Sequence, residues 1–274
     1  MCRLIMSSKI YRTKPALTRS DTGSSPRSDT ISISCFGSAR RVGKSGLKVL
    51  RITKLCWTRS VTGRPPKTRF CLVTFNYDTL LEDALTTVCV DLSSLSSYVK
   101  GPDKVVKPLG SVNWAREVSS QIDAETNNVF EIPNKLIDRA AELEISQSYE
   151  IVWDYPIGKS GNRTLFPALA IPVETKPGYE CPQDQLDVLE KCLPKMTKLL
   201  VIGWHATENR FLKSLGENIG HETRVMVVSS NAERAREVTS RMKAEGLASG
   251  QFMFARSGFS NFVGQREADE FLRT

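Results

Sequence analysis

The stretch that most constrains this chain is FCLVTFNYDTLLEDAL, residues 70–85. Cys71, Leu72, Val73, Thr74 and Phe75 form a short apolar run with β-branched members, the pattern of a strand covered on both faces. Asn76 and Asp78 follow at the joint, and either side chain can cap a helix N-terminus. Leu80, Leu81, Ala84, Leu85 and Val88 then recur at helical spacing. A buried strand running straight into a helix is a unit of an α/β sheet, where ligands bind outside the carboxyl ends of the strands. Asn76 and Asp78 lie where such a site would be. Taken alone, they serve equally well as a turn residue and a cap.

The unit recurs downstream. VCVDL (88–92) reads as a strand or a turn-bounded apolar run, and SSLSS (93–97) as a loop. KVVKPLGSVNW (104–114) predicts a strand at Val105-Val106 that ends in a turn at Gly110. Residues 115–165 read as an insertion, with a helical pattern over 134–144 and a loop over 158–162. ALAIPV (168–173), KLLVIGW (198–204), RVMVVSS (224–230) and QFMFA (251–255) predict four more strands. Helical patterns over 184–193, 208–219 and 231–246 separate them, and a last helix follows Gly258-Phe259-Ser260. Strands alternating with helices of this length predict a doubly wound, Rossmann-like parallel sheet.

Charge divides the chain. Residues 1–70 hold 16 Lys+Arg against two acids, Asp21 and Asp29, while the remainder holds 22 bases against 28 acids. The first thirty residues are rich in Ser, Thr and Arg without a sustained period, which predicts a basic, largely disordered extension over 1–69. ISISCFG (31–37) has strand character, and LKVLRITKLCW (47–57) is apolar enough for another element. A phosphate loop at Gly37 to Gly43-Lys44-Ser45 has five residues between its glycines where the P-loop needs four. A targeting peptide, a nucleic-acid-binding arm and an unnatural start, from a wrong initiation site or a shifted frame, are alternatives for the segment. The seven scattered cysteines contain no C-x-x-C pair, which argues for reduced thiols in the cytoplasm and against a zinc ribbon. No run approaches the length of a membrane span, so a membrane partner is not expected, and the scattered aromatics speak against nucleic acid.

Four predicted strand ends carry small or polar residues: Asn76/Asp78, Gly110/Ser111, Gly203 to Ala206, and Ser229 to Asn231. In a parallel sheet these ends share one edge and form one crevice. In this order the motifs resemble those of the SIR2-like (sirtuin-related) family. VTFNYDTLLEDAL is similar to its T-x-N-x-D motif in the bacterial form F-N-Y-D-x-L-x-E. KPLGSVNW resembles K-L-H-G-S-x-N-W, LLVIGWHATE and VMVVSSNAE resemble the ribose-facing strand ends, and SGFSNF the closing Gly-Phe loop.

The resemblance covers residues 70–265 and implies a SIR2-like NAD-binding domain over 70–274. It implies NAD, as substrate or ligand, in the crevice, with ADP-ribose as a related ligand. Asn76 would be the catalytic asparagine beside the nicotinamide ribose, and Asp78 would hold the carboxamide. Thr74, Gly110, Ser111, Gly203, Trp204, His205, Ser230, Asn231, Gly258 and Phe259 would line the cofactor. Bacterial members of this type are often NAD glycohydrolases of antiphage defence, which implies a homo-oligomer or a defence-system partner for this chain; the sirtuins proper are protein deacylases. The two C-x-x-C zinc pairs of the deacylases are missing, since only Cys181 and Cys192 fall in that interval, so no zinc is expected.

Two departures matter. The family's G-A-G-x-S loop, which lays backbone N–H groups on the pyrophosphate, has no counterpart before Phe70 other than the glycines of Cys35–Gly46. The family's ribose base, a His, is Leu109, and neither His205 nor His221 occupies an equivalent place. An impaired NAD hydrolase is therefore expected, with an inactive NAD- or ADP-ribose-binding module or a structural remnant as the alternatives.

Overall fold

The apolar run at Cys71–Phe75 does build a buried strand. The computed structural model describes residues 2–7, 69–119, 143–152, 158–160, 163–170, 178–220, 222–247, 251–255, 258–265 and 267–273. Six strands, β1 (Cys2–Ser7), β2 (Arg69–Thr74), β3 (Lys104–Val106), β8 (Met196–Ile202), β9 (Arg224–Val228) and β10 (Gln251–Phe254), form one sheet in the order β10-β9-β8-β1-β2-β3. Every pairing in it is parallel. Numbered along the chain, the strands of this sheet run 3-2-1-4-5-6 from one edge to the other, the Rossmann order.

Because side chains alternate across a strand, the sheet has two apolar faces. Cys71, Val73, Leu199, Val201, Val225 and Val227 lie on one. Residues of α3 (Gln183–Cys192), α4 (Asn209–Asn218) and α5 (Ala232–Ala244) cover it, among them Leu189, Phe211, Leu215, Val238 and Met242. Phe70, Leu72, Leu200, Ile202, Met226 and Val228 lie on the other. That face packs on Leu85 of α1 (Leu80–Thr86), Tyr98 of α2 (Ser97–Lys100), Phe262 of α6 (Phe259–Gly264) and Phe271 of α7 (Glu267–Arg273). The sheet is doubly wound, as the alternation of elements predicts.

The position of β1 corrects the reading of the first residues. No packed strand is expected before Phe70, yet Cys2–Ser7 lies between β2 and β8, with Ser7 paired to both Thr74 and Ile202. CRLIMS is too short to show a period, and its pairing on both edges depends on partners far away in sequence. The sheet domain thus includes residues 2–7. The stretches at 31–37, 47–57 and Cys35–Gly46 lie outside the described residues.

The region expected as an insertion contributes a second, antiparallel sheet, β5-β4-β7-β6, from β4 (Gly110–Ser119), β5 (Glu144–Ile151), β6 (Gly158–Ser160) and β7 (Arg163–Leu169). This corrects four local expectations. KVVKPLGSVNW breaks into β3, a turn and β4. Gly110 opens β4 at φ +85°, and a Cβ there would lie 1.9 Å from the Ala168 carbonyl oxygen, so the close crossing of β4 and β7 needs a glycine. Ala168 and Leu169 end β7 in this sheet and are no part of the parallel one. Residues 158–160, expected as a loop, form β6, and Glu144, expected at a helix end, starts β5; residues 134–142 lie outside the described residues. VCVDL forms no strand, since the chain turns there with Cys89 at φ +62°. Apolar content alone does not distinguish these states when the pairing partner is distant.

Candidate functional site

β2 ends at Thr74, and the chain turns through Phe75–Asp78 into α1. The turn is held locally: the Asn76 N–H donates to Thr74 Oγ1 at 3.2 Å, and the Leu80 N–H donates to Asp78 Oδ1 at 3.1 Å. Thr74 is buried, whereas Asn76 and Asp78 are half-buried. Burial pushes the Asp78 carboxyl above its ordinary value. The Leu80 amide and the Lys107 charge pull it partly back, and Glu82 adds to the rise. Tyr77, between them, donates its hydroxyl to the Ala170 carbonyl, and its pKa is raised by burial and then by Glu208.

Beneath this turn lies a buried polar group that the motif reading does not single out. The Lys107 side chain is fully buried, and its ammonium contacts Glu82 Oε1 at 2.8 Å, Ser111 Oγ at 2.8 Å and the Asp78 carbonyl at 2.5 Å. The Tyr98 hydroxyl donates to the same Glu82 oxygen at 3.1 Å, and burial with Glu82 beside it raises the Tyr98 pKa strongly. Ser111 Oγ donates to the Tyr77 carbonyl at 3.2 Å, which also accepts from the Val112 N–H at 2.8 Å. F-N-Y-D and K-P-L-G-S-V are therefore one physical unit. A signal existed in the sequence, because both charged residues sit inside quoted motifs: Glu82 ends F-N-Y-D-x-L-x-E and Lys107 begins KPLGS.

Leu109 is 8% exposed and belongs to the apolar cluster that contains Phe75 and Trp204. Its carbonyl accepts from the Ala170 N–H at 2.9 Å. The side chain that stands where a base is expected is thus part of the core.

At the end of β8, Gly203 adopts φ +61° and donates its N–H to the Val228 carbonyl at 2.9 Å, tying the ends of β8 and β9. Trp204 is buried and donates its indole N–H to Glu208. His205 is exposed, and its carbonyl accepts from Arg241 at 3.3 Å. Ser230 and Asn231 are exposed, and Asn231 caps α5 by accepting the Arg234 N–H at 2.9 Å. A methyl group on Gly258 would lie 3.6 Å from the Ser229 carbonyl oxygen, so the start of α6 abuts the end of β9. Phe259 is half-buried against the second core face.

The predicted residues thus fall into two groups on one edge of the sheet. Asn76, Asp78, Gly110 and Ser111 form the first, and Gly203–His205, Ser230, Asn231 and Gly258 the second. Ser111 and Trp204 are turned into the protein and bonded there; Asn76, Asp78, His205, Ser230 and Asn231 retain exposed surface. His221 lies outside the described residues. Among the described residues no group of three His, Cys, Asp or Glu side chains could hold a metal ion, and no helix is long and apolar enough to cross a membrane.

No protein-family model and no curated protein matches this chain. Among solved structures it is similar to a SIR2 homologue in complex with NAD, at 14% identity and a TM-score of 0.39, over 82% of this chain and 68% of that one. A mutant Sir2 homologue in complex with ADP-ribose is similar at 14% identity and a TM-score of 0.40, over 83% and 71% of the two chains. Sir2 with a p53 peptide and NAD+ is similar at 13% identity and a TM-score of 0.40, over 81% and 72%. Likeness at this level decides nothing about the site, and the Rossmann-like fold stands on the chain's own strand order.

Proposed function

We propose that this chain is a SIR2-like protein that binds NAD and ADP-ribose at the carboxyl edge of its parallel sheet and releases nicotinamide slowly or not at all. The observation that carries this reading is the half-buried amide and carboxyl of Asn76 and Asp78. They stand at the end of β2, one strand from the β1–β8 boundary where the strand order reverses. The residues present fit the ligand in part. An amide oxygen and a carboxylate at such a joint can stabilise the positive charge that develops when a ribose–nicotinamide bond breaks. The exposed Ser230 and Asn231 offer hydroxyl and amide groups to an adenosine ribose. Ser111 and Trp204, by contrast, act by supporting the turn.

Slow turnover follows from Leu109. Leucine takes no proton, and a positioned base contributes roughly 10²–10⁴-fold. Binding without efficient cleavage is thus favoured over hydrolysis, and a part in antiphage defence, as a homo-oligomer or with a partner chain, belongs to the same resemblance. The test is titration calorimetry with NAD and ADP-ribose, alongside a nicotinamide-release assay with Asn76→Ala as control. Both ligands are expected to bind, and Asp78→Ala is expected to weaken NAD more than ADP-ribose, because only NAD carries the carboxamide. A chain that binds neither ligand would overturn the proposal.

A further inference from the structure

The buried ammonium of Lys107 does more than neutralise Glu82. Its contacts to Glu82, Ser111 and the Asp78 carbonyl match the three protons it can donate. Two successive carbonyls of the turn, those of Tyr77 and Asp78, are thereby held by three donors from one short segment: Lys107 Nζ, Ser111 Oγ and the Val112 N–H. The Lys107 backbone N–H is itself fixed to Gln185 Oε1 on α3 at 2.9 Å. The turn that carries Asn76 and Asp78 is thus moored from below to β3, β4 and α3.

We infer that Lys107 is a positioning residue for Asn76 and Asp78: its ammonium fixes the peptide plane of Asp78, and so sets where the two side chains present themselves to a ligand. This rests on the functional reading above for the identity of the ligand, but not for the mooring itself. The alternative is that Lys107 and Glu82 are only a structural ion pair. Stability separates the two poorly, because removing one partner leaves the other charge buried and strongly destabilises any such pair. Neutralising both residues removes that penalty. Glu82 Oε2 is buried and among the described residues has no hydrogen-bond partner, so the pair is imperfectly satisfied as it stands. Lys107→Met with Glu82→Gln keeps the volumes, keeps an acceptor for Tyr98, and deletes only the grip on Ser111 and Asp78.

The experiment compares the full chain with Lys107→Met and with the double variant Lys107→Met/Glu82→Gln. The single variant is expected to melt several degrees lower, on the order of 5–10 °C, and the double variant to recover most of that loss. In the double variant, hydrogen exchange of a peptide covering Phe75–Leu80 is expected to be about tenfold faster, with the β8–β9 peptides unchanged. Calorimetry on the same protein is expected to show NAD binding weakened about tenfold or more, and ADP-ribose binding less so, because displaced contacts act on what they position. Unchanged exchange at residues 75–80 in a folded double variant would overturn the mooring, whatever the ligand. Accelerated exchange with undiminished NAD affinity would overturn the positioning role. If the unaltered chain binds neither ligand, the functional reading fails, and the exchange measurement still decides whether Lys107 holds the turn.

Discussion

Phe75 and Trp204 stack with ring centroids 5.7 Å apart and planes 11° from parallel, across the carboxyl end of β1. Ser7, the last residue of β1, pairs with Thr74 on one side and Ile202 on the other, so the two rings begin just past it on either flank. Phe211 of α4 meets both rings edge-on, at 5.2 and 5.7 Å. The point where the strand order reverses is therefore roofed on one face by three aromatic rings.

That roof has a measurable weight. Trp204→Ala removes a buried aromatic side chain and should cost about 3–5 kcal/mol. Trp204→Phe keeps a ring against Phe75 and should cost clearly less, with the lost bond to Glu208 accounting for part of it. Urea unfolding of the two variants checks the order, and equal losses would mean that the stack adds nothing.

β1 offers a second test. A proline inside a central strand removes one ladder donor and strands its partner. Ile5→Pro should therefore destabilise the whole domain by on the order of 2–3 kcal/mol, measured by circular dichroism melting. A substitution without effect would return residues 2–7 to the status of an unpacked extension.

The carboxyl of Asp78 predicts a pH dependence. Its folded-state pKa is raised, chiefly by burial. Ionised Asp78 therefore opposes folding above that pKa, and the opposition fades as pH falls towards the unfolded value. Asp78→Asn keeps an acceptor for the Leu80 N–H and removes the titration. The variant should gain stability relative to the unaltered chain at pH 7 compared with pH 4, as read by denaturant unfolding at both values. A difference that is flat with pH would show that Asp78 is not burdened by its surroundings.

Leu109→His tests the proposal that a base at this position is what turnover lacks. The side chain lies in the core with Phe75 and Trp204, so a histidine there buries a polar ring and should cost on the order of 2 kcal/mol. No gain in nicotinamide release is expected from this change alone, because a base helps only a bound and aligned substrate. Full NAD hydrolysis by the single variant would show that the unaltered chain already binds and aligns NAD and lacks only the base.

The parallel sheet was legible wherever a strand was long, apolar and followed by an amphipathic helix, as at β8–α4 and β9–α5. There local pattern and global fold agree. The polar joint at Asn76–Asp78 was legible for the same reason. β1 was not, because six residues show no period, and both neighbours that fix it, Thr74 and Ile202 among them, are remote in sequence. The second sheet was obscured because Ala168-Leu169 looks like any buried run until Gly110 is seen pressed against it. Lys107 and Glu82 stood in plain view within motifs, but a charged residue gives no sign of burial until its counter-charge is located. Trp204 is expected at the ligand from the resemblance of LLVIGWHATE, and the structure shows its ring buried in the core with its indole N–H bonded to Glu208.

The place of β1 also bears on how the chain acquires its shape. Cys2 pairs with Arg69 on one side and with Met196 on the other. β1 precedes the other strands of its sheet in the chain, and its second edge is completed only when β8, the fourth of the six, has been synthesised. Until β8 emerges, one row of amides and carbonyls beside β1 has no native neighbour. Parallel pairings of such long sequence separation are slow to close, and an open strand edge is a surface on which nascent chains associate. This protein should therefore fold after translation more than during it, with its yield in cells sensitive to chaperone supply and to the speed of elongation.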